Sequence, residues 1–125
     1  MTTLTEQTEK RPLSPTSGNG RIFSWKNPDS TLPIVVSRLI VDITSASAAA
    51  STCDFGSVPS NDASSDNLID GLPTNVVGTF DNITKKGANG RTCLVLQPNE
   101  WITGTQASGN VAGLQGFAYI TYSRS

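Results

Sequence analysis

The side chains best suited to chemistry in this 125-residue sequence are aspartates on predicted loops, namely Asp54, Asp62, Asp66, Asp70 and Asp81. Carboxylates from several loops can together hold Ca²⁺, which takes about six to eight oxygen ligands. Their spacing lacks the alternate-residue acidic pattern of a calcium-binding loop, and aspartate also suits helix ends and turns. We therefore expect structural capping by these residues and no metal or other cofactor.

The amino-acid composition argues against most kinds of catalytic site. The sequence has no histidine, so it lacks the usual general base, the commonest zinc ligand and the Ser-His and Cys-His nucleophile pairs. A glycosidase needs two carboxyl groups at a fixed separation beside sugar-binding groups, and no spacing pairs acids with Trp25 or Trp101. Trp101 is expected in a core or at a subunit contact. We expect no catalytic residues, and an enzyme is the least favoured function.

Two short motifs and the cysteines have structural explanations. The segment Gly104–Gly113 is glycine-rich but lacks the Gly-Lys-Ser/Thr end of a phosphate-binding loop, so it predicts tight bends or close subunit approach. The Asn-Ile-Thr triplet at 82–84 matches a glycosylation motif, which carries no information without a secretion signal. Cys53 and Cys93 are interpreted as small thiols buried in strands, with a disulfide between them left open, because a cytosolic product usually keeps its thiols reduced.

Charge and hydropathy argue against nucleic acids and membranes as partners. Nine Lys and Arg side chains stand against ten Asp and Glu side chains, a net charge of −1, and form no basic block. Phosphate binding needs a clustered positive face. Residues 1–10 lack the apolar stretch of a signal peptide, and the longest apolar-rich run, Ile34–Ile43, is too short to span a bilayer. We expect a soluble chain made in the cytosol.

Residues 1–20 are predicted to form an extended N-terminal arm, and residues 21–125 the folded body. The arm contains several threonines, prolines and glycines, but only Leu4 and Leu13 as larger aliphatic side chains. It cannot bury enough apolar surface to offset the entropy lost on ordering, so we expect it to be flexible in isolation. Two roles remain open: a disordered terminus, or an arm that becomes ordered against a partner surface.

The body is predicted to be an all-β, single β-sandwich or jelly-roll-like domain, because short strands alternate with turn signals about every dozen residues. The predicted strands are 21–25, 33–44, 52–55, 75–80, 91–96, 100–105 and 114–122. A single helical turn is predicted over Ser64–Gly71, with Gly71 as its left-handed end. The segment Lys85–Gly90 predicts a hairpin with positive φ at Asn89-Gly90, and strand 91–96 is expected to pair with strand 100–105.

Apolar side chains on both faces of two strands predict self-association. Strict alternation along residues 33–44 puts Val35, Leu39, Val41 and Ile43 on one face and leaves further aliphatic residues on the other. One sheet face needs fewer apolar residues than strands 33–44 and 114–122 carry, so we expect a homo-oligomer, with a trimer favoured. The residues assigned to this contact are Ile34, Val36, Ile40, Phe117 and Tyr119.

A succession of glycine- and Asn/Asp-containing phrases in the body resembles the small accessory head proteins of tailed bacteriophages. The phrases are Ser64–Gly71, Phe80–Ile83, Gly87–Gly90, Trp101–Thr105 and Ala112–Ile120. The likeness covers residues 33–122 and leaves out the arm. It implies a decoration (cement) or head-fibre protein that is made in the host cytoplasm, binds the major capsid protein and lies on the outer surface of the virion.

The resemblance implies no catalytic residues, so the expected site is a contact surface. An extended arm can add a strand to an exposed sheet edge of a capsid. The residues assigned to capsid contact are Pro12, Leu13, Arg21, Phe23 and Trp25. A competing interpretation places loops of the body against the shell. An alternative function is a receptor- or glycan-binding module of a fibre or adhesin, which exposed loop aromatics would favour; the loops here are mostly Ser, Gly, Asn and Asp.

Overall fold

The computed structural model describes residues 6–15 and 20–124, and this part of the chain is all-β. The strands are β1 (Glu6–Pro12), β2 (Arg21–Lys26), β3 (Ile34–Ser45), β4 (Ser51–Val58), β5 (Ile69–Pro73), β6 (Gly78–Asp81), β7 (Leu94–Leu96), β8 (Trp101–Gly109) and β9 (Gln115–Arg124). Every predicted strand has a counterpart, although several boundaries differ. Expectations for residues 1–5, 16–19 and 125 lie outside the described residues.

The strands form two antiparallel sheets that pack face to face, which confirms the predicted β-sandwich. Sheet A has the order β1-β9-β3-β6, and β7 also pairs with β3. Sheet B has the order β2-β8-β4-β5. The sheets meet through aromatic contacts: the ring centroids of Trp25 on sheet B and Tyr122 on sheet A are 5.4 Å apart.

The core between the sheets is aliphatic with a few aromatic rings. Its fully buried members include Ile22, Ile34, Val36, Leu39, Phe55, Leu68, Ile69, Leu96, Ile102 and Ile120. Burying each such side chain contributes about 1.5–3 kcal/mol relative to exposure. This packing positions the outer faces of both sheets.

A β-bulge in β3 makes the predicted assignment of its faces wrong. Val36 pairs with Tyr122 and Arg38 pairs with Thr121, so Ser37 is an extra residue on β3. Because a bulge shifts the alternation by one residue, the core side contains Ile34 and Val36 before the bulge and Leu39, Val41 and Ile43 after it. The predicted excess of apolar residues on both faces is correspondingly smaller.

The predicted helical turn over Ser64–Gly71 is wrong. This segment is irregular until β5 begins at Ile69, and Gly71 lies within that strand. Gly71 does have the expected left-handed conformation, with a φ of 81°. Its backbone N–H donates to Asp54 Oδ1 at 2.8 Å, so the conformation serves a strand irregularity rather than a helix end.

The predicted pairing of neighbouring strands in the second half is also wrong. β6 and β7 both pair with β3, so the turn between them does not close a hairpin. Positive φ occurs in this turn at Gly87, not at the predicted Asn89-Gly90. β7 belongs to sheet A and β8 to sheet B, so the chain crosses between the sheets at residues 97–100. Local pattern does not distinguish a hairpin from such a crossing, because both need a turn between two short strands.

Part of the predicted arm lies on the body. Residues 6–12 form β1, which pairs with β9 from Glu6 opposite Ser123 to Pro12 opposite Phe117. Body side chains hold this strand: Tyr122 Oη donates to Gln7 Oε1 at 2.8 Å, and Trp25 Nε1 donates to Glu9 Oε2 at 2.6 Å. The composition of the arm gives no sign of these anchors, because the partners belong to the body.

Candidate functional site

Part of the outer face of sheet B, around Gly56 and Thr103, is covered by the chain itself. Segment 59–67 crosses it, and Thr103 Oγ1 donates to the carbonyl oxygen of Ala63 at 2.9 Å. Asn67 binds Ser57 twice, through the Ser57 backbone N–H and the Ser57 hydroxyl, each at 2.9 Å. Beneath the segment, Thr103 and Val58 are buried although they point away from the core. The covered part has little room for a partner, while Ser24 and Lys26 on the same face are exposed.

The outer face of sheet A, by contrast, is accessible. We define the open face by the outward-pointing side chains of its strands, namely Glu6, Thr8, Lys10, Val35, Arg38, Ile40, Asp42, Val95, Phe117, Tyr119 and Thr121. The apolar members Val35, Ile40, Phe117 and Tyr119 are half-buried, and Val95 is 53% exposed. The open face thus combines apolar area with charged groups of both signs.

A groove of about 500 Å³ runs along the open face. It is lined by Glu6, Thr8, Ser37, Arg38, Ile40, Tyr119 and Thr121. The hydroxyl groups of Thr8 and Thr121 are 3.0 Å apart and bind one another across β1 and β9. Beside the groove, Lys10 Nζ lies 4.2 Å from the ring centroid of Phe117, a cation–π contact. Aromatic rings beside hydrogen-bonding groups are typical of surfaces that bind proteins or sugars.

Three of the five aspartates singled out in the sequence come together beside sheet B. Carboxylate oxygens of Asp54, Asp66 and Asp70 lie within 4.8 Å of one another. Asn89 donates to two of these carboxylates, from its side chain to Asp66 Oδ2 at 2.9 Å and from its backbone N–H to Asp70 Oδ2 at 3.2 Å. Burial, with the charges of Asp70 and Asp66 adding to it, raises the pKa of Asp54. The trio offers oxygen ligands to a hard cation, while its backbone bonds are those of turn-forming residues.

The other two aspartates stabilise local turns. Asp81 Oδ1 accepts hydrogen bonds from the backbone N–H groups of Ile83 at 2.9 Å and Thr84 at 2.8 Å. The Thr84 backbone bond is the main reason that the pKa of Asp81 is lowered. Asp62 accepts a bond from the Ser60 hydroxyl, which lowers its pKa in the same way.

Three of the five residues predicted to contact a capsid are core residues. Leu13 is 8% exposed, Phe23 3% and Trp25 5%, so none of them presents a surface to a partner. Pro12 is exposed at the end of β1, and Arg21 is half-buried with Nη1 donating to the carbonyl oxygen of Asn61. Phe23 and Trp25 fill the space between the two sheets, where they contact Phe55 and Tyr122, so they are not available to a capsid.

The residues predicted to form an oligomer contact fall into two groups. Ile34 and Val36 are fully buried in the core of the single chain. Ile40, Phe117 and Tyr119 belong to the open face. The bulge at Ser37 explains the division, because it places Ile40 on the opposite side of the strand from Ile34 and Val36.

The structure also locates the smaller sequence motifs. Cys53 is buried, and burial raises its thiol pKa to about 12; Cys93 is exposed, so its predicted burial is wrong, and the two thiols are free. Asn82 is fully buried, with its side chain bonded to Leu39 N and to the carbonyl oxygen of Arg91, which leaves the triplet at 82–84 no accessible amide. Trp101 is half-buried on the outer face of sheet B, with Lys26 Nζ 5.8 Å from the centroid of its ring.

Comparison with known proteins adds no identification. No protein-family model matches the chain, and no curated protein or solved structure matches it significantly. Within the described residues there is no helix long and apolar enough to cross a membrane. The likeness to phage head proteins therefore stays a prediction made from the sequence.

Proposed function

We propose that this chain is a structural virion protein that binds the outer surface of a phage capsid through the open face of sheet A. The sequence resemblance supports the class of protein. The surface is supported by the group of half-buried apolar and aromatic side chains on sheet A, whereas segment 59–67 covers part of the outer face of sheet B. The contact surface is thus moved from the predicted arm residues to Ile40, Phe117, Tyr119 and their neighbours.

The size of the open face fits a contact that is weak alone and strong in many copies. Sheet A is four strands wide along the path β1-β9-β3-β6. With strands about 4.8 Å apart and about ten residues long, its face measures roughly 500–600 Å². A standard protein interface buries about 800 Å² on each partner. A capsid lattice offers the same site many times, and linked copies raise the effective concentration of the next contact. We infer that the major capsid protein is the partner.

The proposal is tested by the binding of purified protein to capsids that lack it. We expect saturable, stoichiometric binding, and we expect Tyr119→Ser to weaken it about tenfold or more, because central aromatic residues dominate interface energies. Trp101→Ser is the matched control, since it removes a half-buried aromatic side chain from the outer face of sheet B. Equal losses from both variants, or no saturable binding, would contradict the proposal.

A glycan is the second candidate ligand, and the groove on the open face favours it. Tyr119 supplies a ring on which a sugar can stack, while Glu6, Ser37 and Arg38 supply acceptors and donors for its hydroxyl groups. Retention on a glycan array that depends on Tyr119, together with no capsid binding, would favour a receptor- or glycan-binding module instead.

A further inference from the structure

The outer edge of β1 carries backbone groups that are arranged for pairing. Among the described residues, β1 pairs with β9 alone. Leu13 N donates to the carbonyl oxygen of Gly116 at 2.9 Å, which shows that the odd-numbered residues of β1 are the ones that bond to β9. Since the bonding direction alternates along an antiparallel strand, Gln7, Glu9 and Arg11 bond toward β9. The N–H and C=O groups of Glu6, Thr8 and Lys10 therefore point away from the sandwich. The carbonyl oxygen of Lys10 accepts a bond of 3.3 Å from the exposed Arg11 Nη1, which a paired strand would displace.

The charged residues of β1 are ordered so that two antiparallel copies of the strand place opposite charges next to one another. Glu6 and Lys10 lie two positions on either side of Thr8, and the side chains of all three belong to the open face. When two β1 strands are placed antiparallel with Thr8 on the two-fold axis, Glu6 of each copy lies opposite Lys10 of the partner subunit. Opposite charges that face one another across strands stabilise the pair, and like charges destabilise it.

We propose that a second copy of this chain binds edge to edge at β1, in the register centred on Thr8. Each of the residue pairs Thr8–Thr8, Glu6–Lys10 and Lys10–Glu6 exchanges both of its backbone hydrogen bonds. Pro12, which has no N–H to donate, falls in the outward-pointing set and limits the pairing at its end. The two copies of sheet A then form one continuous sheet.

Other registers lack this complementarity. A hydrogen-bonded pair across the two β1 strands needs outward-pointing backbone groups on both. These groups belong to the even-numbered residues, so only registers that place even-numbered residues opposite one another are possible. Centring on Gln7 places Glu6 opposite Thr8, and centring on Glu9 places the two Glu9 carboxylates opposite one another. Charged residues on an edge strand usually prevent pairing, but here their order attracts the same edge of another copy.

The dimer would keep both open faces on the same side, because the two-fold axis is perpendicular to the joined sheet. It therefore doubles the surface available to a partner and adds to the proposed function without depending on it. A two-fold contact gives a dimer, whereas the sequence expectation favoured a trimer.

Charge-exchange variants test the dimer without any capsid. Sedimentation equilibrium at micromolar to millimolar concentration should show dimers of the unmodified chain. Glu6→Lys and Lys10→Glu should each weaken dimerisation about tenfold or more, because each replaces two attractive pairs by repulsive ones. An equimolar mixture of the two variants should regain dimers, since each partner then supplies the opposite charge. Lys85→Glu, on an exposed turn, is the charge-matched control and should leave dimerisation unchanged.

Amide exchange measured by NMR locates the interface independently. At low concentration the amides of Gln7, Glu9 and Arg11 should be protected, and dimerisation should add protection at Thr8 and Lys10. A chain that stays monomeric throughout, a mixture that does not reassociate, or protection gained elsewhere would overturn the proposal. Because capsids are absent from these experiments, failure here leaves the proposed capsid binding intact.

Discussion

At the scale of residues, short polar side chains fasten the connections between strands. Asn27 is buried, and its side-chain amide donates to the carbonyl oxygens of Leu96 at 3.0 Å and Gln97 at 3.2 Å. Its Oδ1 accepts the backbone N–H of Asp29 at 2.8 Å and so stabilises the turn at Asn27-Pro-Asp29. The turn was predictable because residue type sets its local bonds. The distant bonds were not, because they depend on how the sheets meet.

Asp54 offers a pH-dependent test at this scale. Burial, reinforced by Asp70 and Asp66, raises its folded-state pKa above the ordinary value of 3.8. An acid whose pKa is raised on folding loses stability as the pH rises through the interval between its unfolded and folded values. Asp54→Asn keeps an oxygen for the backbone N–H of Gly71 and removes the charge, so we expect a higher free energy of unfolding at pH 7.

Urea denaturation at two pH values measures this effect. The advantage of Asp54→Asn should shrink toward pH 3, where the carboxyl group is protonated in both states. Asp62→Asn is the control, because the bond from Ser60 lowers the pKa of Asp62, so its substitution should bring no gain at pH 7. A lower stability of Asp54→Asn at pH 7 would show that the carboxylate is held by a favourable interaction instead.

At the scale of elements, seven of the nine strands were predictable, whereas β1, β5 and the pairing of the strands were not. Alternating β-branched residues and intervening turn signals mark β3 and β9 in the sequence. The bulge at Ser37 has no such signal, because it arises from the register between β3 and β9 and from the bond between Asn82 Oδ1 and Leu39 N, 2.9 Å long. Of the residues assigned to an oligomer contact, Ile40, Phe117 and Tyr119 lie on the open face, whereas Ile34 and Val36 lie in the core.

Segment 59–67 provides the test at this scale. A Cβ atom on Gly56 would lie 2.5 Å from Asn67 Oδ1 and 2.7 Å from the carbonyl oxygen of Ser65, closer than atoms can approach. Gly56→Ala should therefore push the segment off sheet B, lower the free energy of unfolding by about 1–3 kcal/mol and speed cleavage within residues 59–67 by a nonspecific protease. Ser24→Ala, an exposed change on the same face, should do neither. Unchanged cleavage in Gly56→Ala would mean that the segment does not depend on this close approach.

At the scale of the whole molecule, the outer faces of the two sheets differ. Segment 59–67 covers part of the outer face of sheet B, while sheet A presents an accessible face bounded by the edge strand β1. The β-sandwich class could be predicted from the spacing of turns. The open face could not, since it depends on where segment 59–67 lies, and that is decided by contacts such as those of Thr103 and Gly56.

The most direct measurement is an electron-microscopy map of capsids saturated with the purified protein, at a resolution that separates the two sheets. We predict density for the β-sandwich on the outside of the shell with the open face of sheet A toward the major capsid protein, so that Tyr119 is buried and segment 59–67 faces solvent. Density with sheet B toward the shell, or shells that carry none of this protein at saturating concentration, would contradict the account.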